Sequence, residues 1–128
     1  MGFWIVMFLM ILIVPLAFLG IGHLFRKSAP KDINYVFGYR TKRSMMNRDT
    51  WKFAHQYIGR LWVILGIVVL PLSIIPMLLV IGKSVDTIGT VGGIVEGIQI
   101  VLLVCSIIPT EIALRKKFDE HGKKRMLI

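Results

Sequence analysis

The sequence predicts an all-α integral membrane fold: three transmembrane helices, with a short interfacial helix or loop between the first and second. Three observations carry this expectation. Apolar residues make up 55% of the chain and its mean hydropathy is +0.73, more than a soluble domain of this size accommodates. Apolar runs of roughly 20 residues, the length that crosses a bilayer core as a helix, recur three times. Lysine and arginine gather between the first two runs and after the third. The 128 residues leave room for one domain, 1–128, with spans at about 3–25, 58–81 and 91–110.

The first run, Phe3 to Phe25, is broken only by Pro15, Gly20, Gly22 and His23. It has no basic n-region, its apolar stretch exceeds the ~7–15 residues of a leader, and no small-x-small cleavage site follows, so it is expected to be retained. The second run holds Pro71 and Pro76; each removes a backbone donor and is expected to kink the helix, which neighbouring spans can accommodate. The start of the third is blurred between Ile88 and Ile94 by Gly89, Gly92, Gly93 and Gly97. These glycines also allow the close helix contact of a homo-oligomer.

Charge sets the expected orientation. Of 16 Lys and Arg, nine lie between Arg26 and Arg60 and six between Arg115 and Arg125, leaving Lys83 alone in the other loop. The positive-inside rule places loop 26–57 and tail 111–128 in the cytoplasm and the N-terminus outside. A net charge of +9 is compatible with nucleic acid, but cations flanking hydrophobic spans call for a bilayer with anionic headgroups, so no nucleic-acid partner is expected. The single cysteine, Cys105, excludes an internal disulfide.

The loop has internal structure of its own. Ser28 to Asp32 reads as a turn, and Tyr35, Val36, Phe37 and Tyr39 around Gly38 suit an extended or interfacial piece. Asn47 is placed to cap a helix, with Asp49 in its first turn complementing the dipole. Trp51, Ala54, Ile58 and Trp62 then share one helical face, while Arg48, Lys52, Gln56 and Arg60 share another. A helix is therefore expected to start among the headgroups and continue into the second span.

Pro30, Asn34, Gly38-Tyr39-Arg40-Thr41, Ser44-Met45, Asn47 and Trp51, followed by Pro109-Thr110-Glu111, Phe118 and Gly122, resemble the signature of the SdpI/YfhL family of small bacterial membrane proteins. The likeness runs from about Pro30 to Gly122. It implies residence in a bacterial cytoplasmic membrane. The best-known member of that family is an immunity protein against a secreted toxic peptide, also credited with capturing a transcriptional repressor at the membrane. That member has additional spans, and this chain looks like the three-span module alone. His55 stands where the family carries His or Asn after the Trp, and no role is assigned to it.

The candidate functional cluster is polar: Asn34, Tyr39, Arg40, Asn47, Trp51 and Glu111. Tyr39 can stack on the Arg40 guanidinium and the two asparagines can orient it. Glu111, at the cytoplasmic end of the third span, needs a partner or water there. An Arg40–Glu111 pair would tie the loop to the third helix. Against it stand Arg115, Lys116 or water for the carboxylate, and a phosphate contact, a positive-inside anchor or plain loop packing for the guanidinium. Glu96 and Gln99 are secondary candidates, sharing a face at i, i+3. They suit a polar path, a peptide contact or an inter-subunit hydrogen bond, unless Glu96 is simply solvated at the outer headgroups. The basic tail after Leu114 reads as a headgroup anchor, with partner docking as the competing use.

Catalysis finds no constellation. His23, His55 and His121 lack metal-ligand spacing, and neither a phosphate loop nor a nucleophile–base pattern is present. Neither enzymatic activity nor a cofactor is expected. What the resemblance implies is self-protection against a membrane-active toxic peptide, coupled to a cytoplasmic regulator. The runner-up is a small oligomeric transporter or channel component, with Glu96, Gln99 and the proline-bearing second helix lining its path.

Overall fold

The computed structural model describes residues 1–31, 33 and 38–125. Its elements are α1 (Gly2–Lys27), α2 (Arg48–Leu79), α3 (Val85–Cys105) and α4 (Ile107–Lys117). Three helices are long and apolar enough to cross a membrane, the third being the continuous stretch Val85–Lys117. The fold is all-α; the only β pairing among the described residues is an isolated bridge, Phe118 to Lys124.

Each helix end has a local cause. α2 starts at a capping box: the Asn47 side chain accepts from the Thr50 N–H at 2.9 Å, and the Thr50 hydroxyl accepts from the Asn47 N–H at 3.1 Å. α3 begins at Val85, upstream of the expected 91, because Ser84 caps it by accepting from Thr87 N–H at 3.2 Å. The glycines that blurred this boundary lie inside the helix, since lipid offers the backbone no alternative partner. α3 gives way to α4 at Ser106. Pro109 lacks an N–H for the Cys105 carbonyl and crowds it, which breaks the ladder there. α2, by contrast, runs unbroken through Pro71 and Pro76.

α2 is 32 residues long, about 48 Å at 1.5 Å per residue. Its apolar part starts at Leu61, so the turns from Arg48 to Arg60 project beyond a hydrocarbon core of about 30 Å. This overhang carries the polar end of the molecule.

Spans in lipid gain no hydrophobic drive from touching one another, so close packing and hydrogen bonds must hold them. α1 and α2 cross on glycine. A Cβ at Gly22 would lie 2.9 Å from the Gly59 carbonyl oxygen, and one at Gly59 would collide with the Arg26 backbone nitrogen and lie 2.7 Å from the Gly22 oxygen. Phe25, Tyr39, Ala54, Ile58, Leu114 and Phe118 form a core at the polar end. Ile11, Met77, Val80, Ile88 and Val95 form one at the far end, where the Trp4 indole donates to the Met77 carbonyl at 2.7 Å.

One side chain joins all three spans. Pro15 has no N–H, so the Ile11 carbonyl loses its helical donor. The Gln99 amide nitrogen replaces it at 2.9 Å and also reaches the Ser73 hydroxyl at 2.8 Å. Gln99 is 1% exposed. A carbonyl only accepts, which fixes the carboxamide orientation and leaves Gln99 Oε1 buried without a partner among the described residues.

Candidate functional site

The chain entering α2 folds over the polar end because Gly38 takes φ +116. A Cβ there would lie 2.7 Å from His55 Nε2 and 3.1 Å from the Trp51 ring, so only glycine brings the backbone this close. Tyr39 N–H then donates to His55 Nε2 at 2.8 Å, and His55 Nδ1 lies 2.7 Å from the Trp51 carbonyl. An N–H only donates and a carbonyl only accepts. The network therefore assigns the ring proton to Nδ1 and the lone pair to Nε2. His55 is fully buried, with Phe25 edge-on at 4.7 Å and Trp51 at 4.2 Å between ring centroids. The Trp51 indole donates to the Pro30 carbonyl at 2.9 Å.

A second group of bonds crosses to the third span. Tyr39 OH donates to Glu111 Oε2 at 2.7 Å and Thr41 OH to the same oxygen at 3.0 Å. Thr41 and Ser44 serve each other: Ser44 N–H donates to Thr41 Oγ1 at 3.1 Å, and Thr41 N–H to Ser44 Oγ at 2.8 Å. The Ser44 hydroxyl also lies 2.9 Å from the Tyr39 carbonyl. Thr50 Oγ1 lies 3.1 Å from the Ser44 carbonyl. Burial first, and then the hydrogen bond to the Glu111 carboxylate, push the Tyr39 phenol well above its ordinary pKa. Tyr39 thus stays a donor.

The tail completes the site. Beyond α4 the chain turns back on itself: Asp119 N–H donates to the Lys123 carbonyl and Arg125 N–H to the Lys117 carbonyl, both at 2.8 Å. Asp119 Oδ1 accepts from the N–H groups of His121 and Lys123 at 2.9 Å each. These bonds, the Lys123 one foremost, hold its carboxyl below the usual carboxylate range. Gly122, at φ +79, sits at the tip, and its carbonyl accepts from Asn47 Nδ2 at 2.7 Å. The basic tail expected to anchor on headgroups is helical to Lys117 and then forms a hairpin docked on the α2 cap. Charge masked the turn signal of Asp119 and Gly122.

Of the expected cluster, Tyr39, Asn47, Trp51 and Glu111 converge in this network. Asn34 lies outside the described residues. Arg40 is exposed, and among the described residues no ion pair links it to Glu111; two hydroxyls satisfy that carboxylate oxygen instead. His55, Thr41, Ser44 and Thr50 were missed as members. The spacing Thr41-x-x-Ser44 and Asn47-x-x-Thr50 was the available signal, being that of reciprocal side chain–backbone caps. Glu96 lies about 17 Å along α3 from Val85, and its Oε2 is buried without a partner among the described residues. No group of His, Cys, Asp and Glu suited to a metal occurs among the described residues.

Comparison with known proteins adds a family. The profile of the SdpI/YfhL protein family matches residues 31–110, a stretch that holds the Gly38–Trp51 network and reaches the turn before Glu111. A relative from Bacillus subtilis (strain 168), the uncharacterized protein YfhL, is 42% identical over 48 residues. That alignment spans 38% of this chain and 44% of the relative. No solved structure matches.

Proposed function

Since the chain belongs to the SdpI/YfhL protein family and is a multi-pass membrane protein, we propose that it protects a bacterial cell against a membrane-active toxic peptide, acting by binding rather than by chemistry. It resides in the cytoplasmic membrane with the Gly38–Trp51 network and the C-terminus on the cytoplasmic side, as its basic residues favour. One observation carries the reading: Glu111 Oε2 takes both the Tyr39 and Thr41 hydroxyls. That closure latches the loop to the third span, and Tyr39 N–H continues it to the buried His55 on α2. Disturbing the span packing from within the bilayer strains this latch. A cytoplasmic regulator reading the exposed basic surface around Lys42 and Arg43 would then sense the change. The transport alternative is weaker, because Gln99 is committed to Ile11 and Ser73.

The experiment challenges cells lacking the protein with a panel of membrane-lytic peptides, with and without re-expression. Survival restored against at least one peptide is the expected result. Equal killing in both strains across the panel, at verified membrane levels, would overturn the proposal.

A further inference from the structure

At the polar end one hollow of about 280 Å³ gathers three cations from three chain segments: Lys52 on the second turn of α2, Lys117 on the last turn of α4, and Lys124 on the returning arm of the hairpin. None of the three makes an ion pair among the described residues. The Asp49 carboxylate also lines the hollow, which leaves two net positive charges there. Like charges so gathered repel unless an anion lies between them.

The hollow has an apolar side as well. The Lys117 ammonium stands 4.6 Å over the centre of the Phe53 ring, and Phe53 meets Phe118 edge-on with centroids 5.7 Å apart. Gln56 adds a neutral amide to the wall. Depth completes the picture: Gln56 and Lys52 lie about 8 and 14 Å along α2 from Leu61, where the apolar stretch begins. The headgroup layer reaches about 5–8 Å beyond the hydrocarbon on each side, so Gln56 stands at its outer edge and Lys52 beyond it, from where a long lysine stem reaches back towards it.

The geometry points to an anionic phospholipid as the occupant, its phosphate held by Lys52, Lys117 and Lys124 and its glycerol end against Phe53 and Phe118. Lysine suits this role as a flexible point charge on phosphate. A lipid is favoured over free phosphate by the aromatic floor and by a position at the outer edge of the headgroup layer. The inference stands apart from the protective role, since it rests on the hollow alone.

The test uses the full chain in neutral detergent, titrated with short-chain phosphatidylglycerol and read by native mass spectrometry. The variant Lys52→Gln/Lys117→Gln/Lys124→Gln should weaken binding about tenfold or more. The charge-matched control Lys27→Gln/Lys31→Gln/Lys42→Gln should change it less than about twofold. Should the first variant misfold, the single Lys124→Glu, exposed on the hairpin, should still weaken binding severalfold. Soluble glycerol phosphate should bind far more weakly than the lipid. Equal loss in both triple variants would mean diffuse surface attraction, unchanged binding in the first would empty the site, and glycerol phosphate binding as tightly as the lipid would make it a free-anion site. Each of these overturns the assignment.

Discussion

Replacing Gln99 by Leu removes the hydrogen bonds to Ile11 and Ser73 while keeping most of the buried volume. Interhelical hydrogen bonds in membranes average about 0.6 kcal/mol each, so the two together contribute about 1.2 kcal/mol. The Ile11 carbonyl is then orphaned, because Pro15 cannot serve it, and a buried unsatisfied group costs about 1–3 kcal/mol. The unpartnered Gln99 Oε1 disappears with the amide and offsets part of the loss. The net expectation is a destabilisation of about 2 kcal/mol. Pro15→Ala restores a backbone donor to Ile11, so in the Gln99→Leu background it should recover about 1 kcal/mol that it does not give the wild type. Equilibrium unfolding in detergent, measured for all four proteins of this double-mutant cycle, reads the coupling directly. Additive effects, within about 0.3 kcal/mol, would refute the idea that Gln99 substitutes for the missing proline donor.

Other outcomes follow from the same contacts. Tyr39 has a folded-state pKa raised above the ordinary phenol value of 10.0, so its contribution to stability is whole below that pH and is lost as pH rises beyond it; Tyr39→Phe should flatten the alkaline limb of a stability–pH profile. The Asp119 carboxyl is held low, so the hairpin bonds it makes are kept above the ordinary Asp range near pH 3.8 and lost as pH falls through the depressed value. Amide exchange at His121 and Lys123 should accelerate in acid, and Asp119→Ala should produce that acceleration at neutral pH. Gly59→Ala forces α1 away from α2 at their closest crossing and should cost about 1–3 kcal/mol, read by the same unfolding assay.

Much of the scaffold was legible because its causes are local. Span length and the Asn47 cap each depend on residues adjacent in sequence, and Glu111 announced itself as a carboxylate at a span end. The site was harder to read because its bonds are long-range and partly to backbone. The Pro15 defect can be seen in the sequence, but nothing near it names Gln99 as its repair. His55 went unassigned because its partners are a backbone N–H and a backbone carbonyl, which carry no residue signature. Arg40 drew attention as the obvious mate for Glu111, yet hydroxyls from Tyr39 and Thr41 satisfy that oxygen without bringing a second charge to the membrane boundary. The third-span candidates, Glu96, Gln99 and the glycines, looked alike in composition. Packing separates them: Gln99 bridges helices and Gly92 receives the Met7 side chain, while a Cβ at Gly93 or Gly97 would meet nothing within 4 Å among the described residues.

The central claim is that closure of the loop onto the third span through Glu111 is what protection requires. The most direct measurement compares survival under peptide challenge for cells carrying Glu111→Ala and Glu111→Gln, at matched levels in the membrane. Glutamine keeps an oxygen acceptor for the Tyr39 and Thr41 hydroxyls, so Glu111→Gln should retain most of the protection and Glu111→Ala should lose it. Full protection by Glu111→Ala would contradict the account.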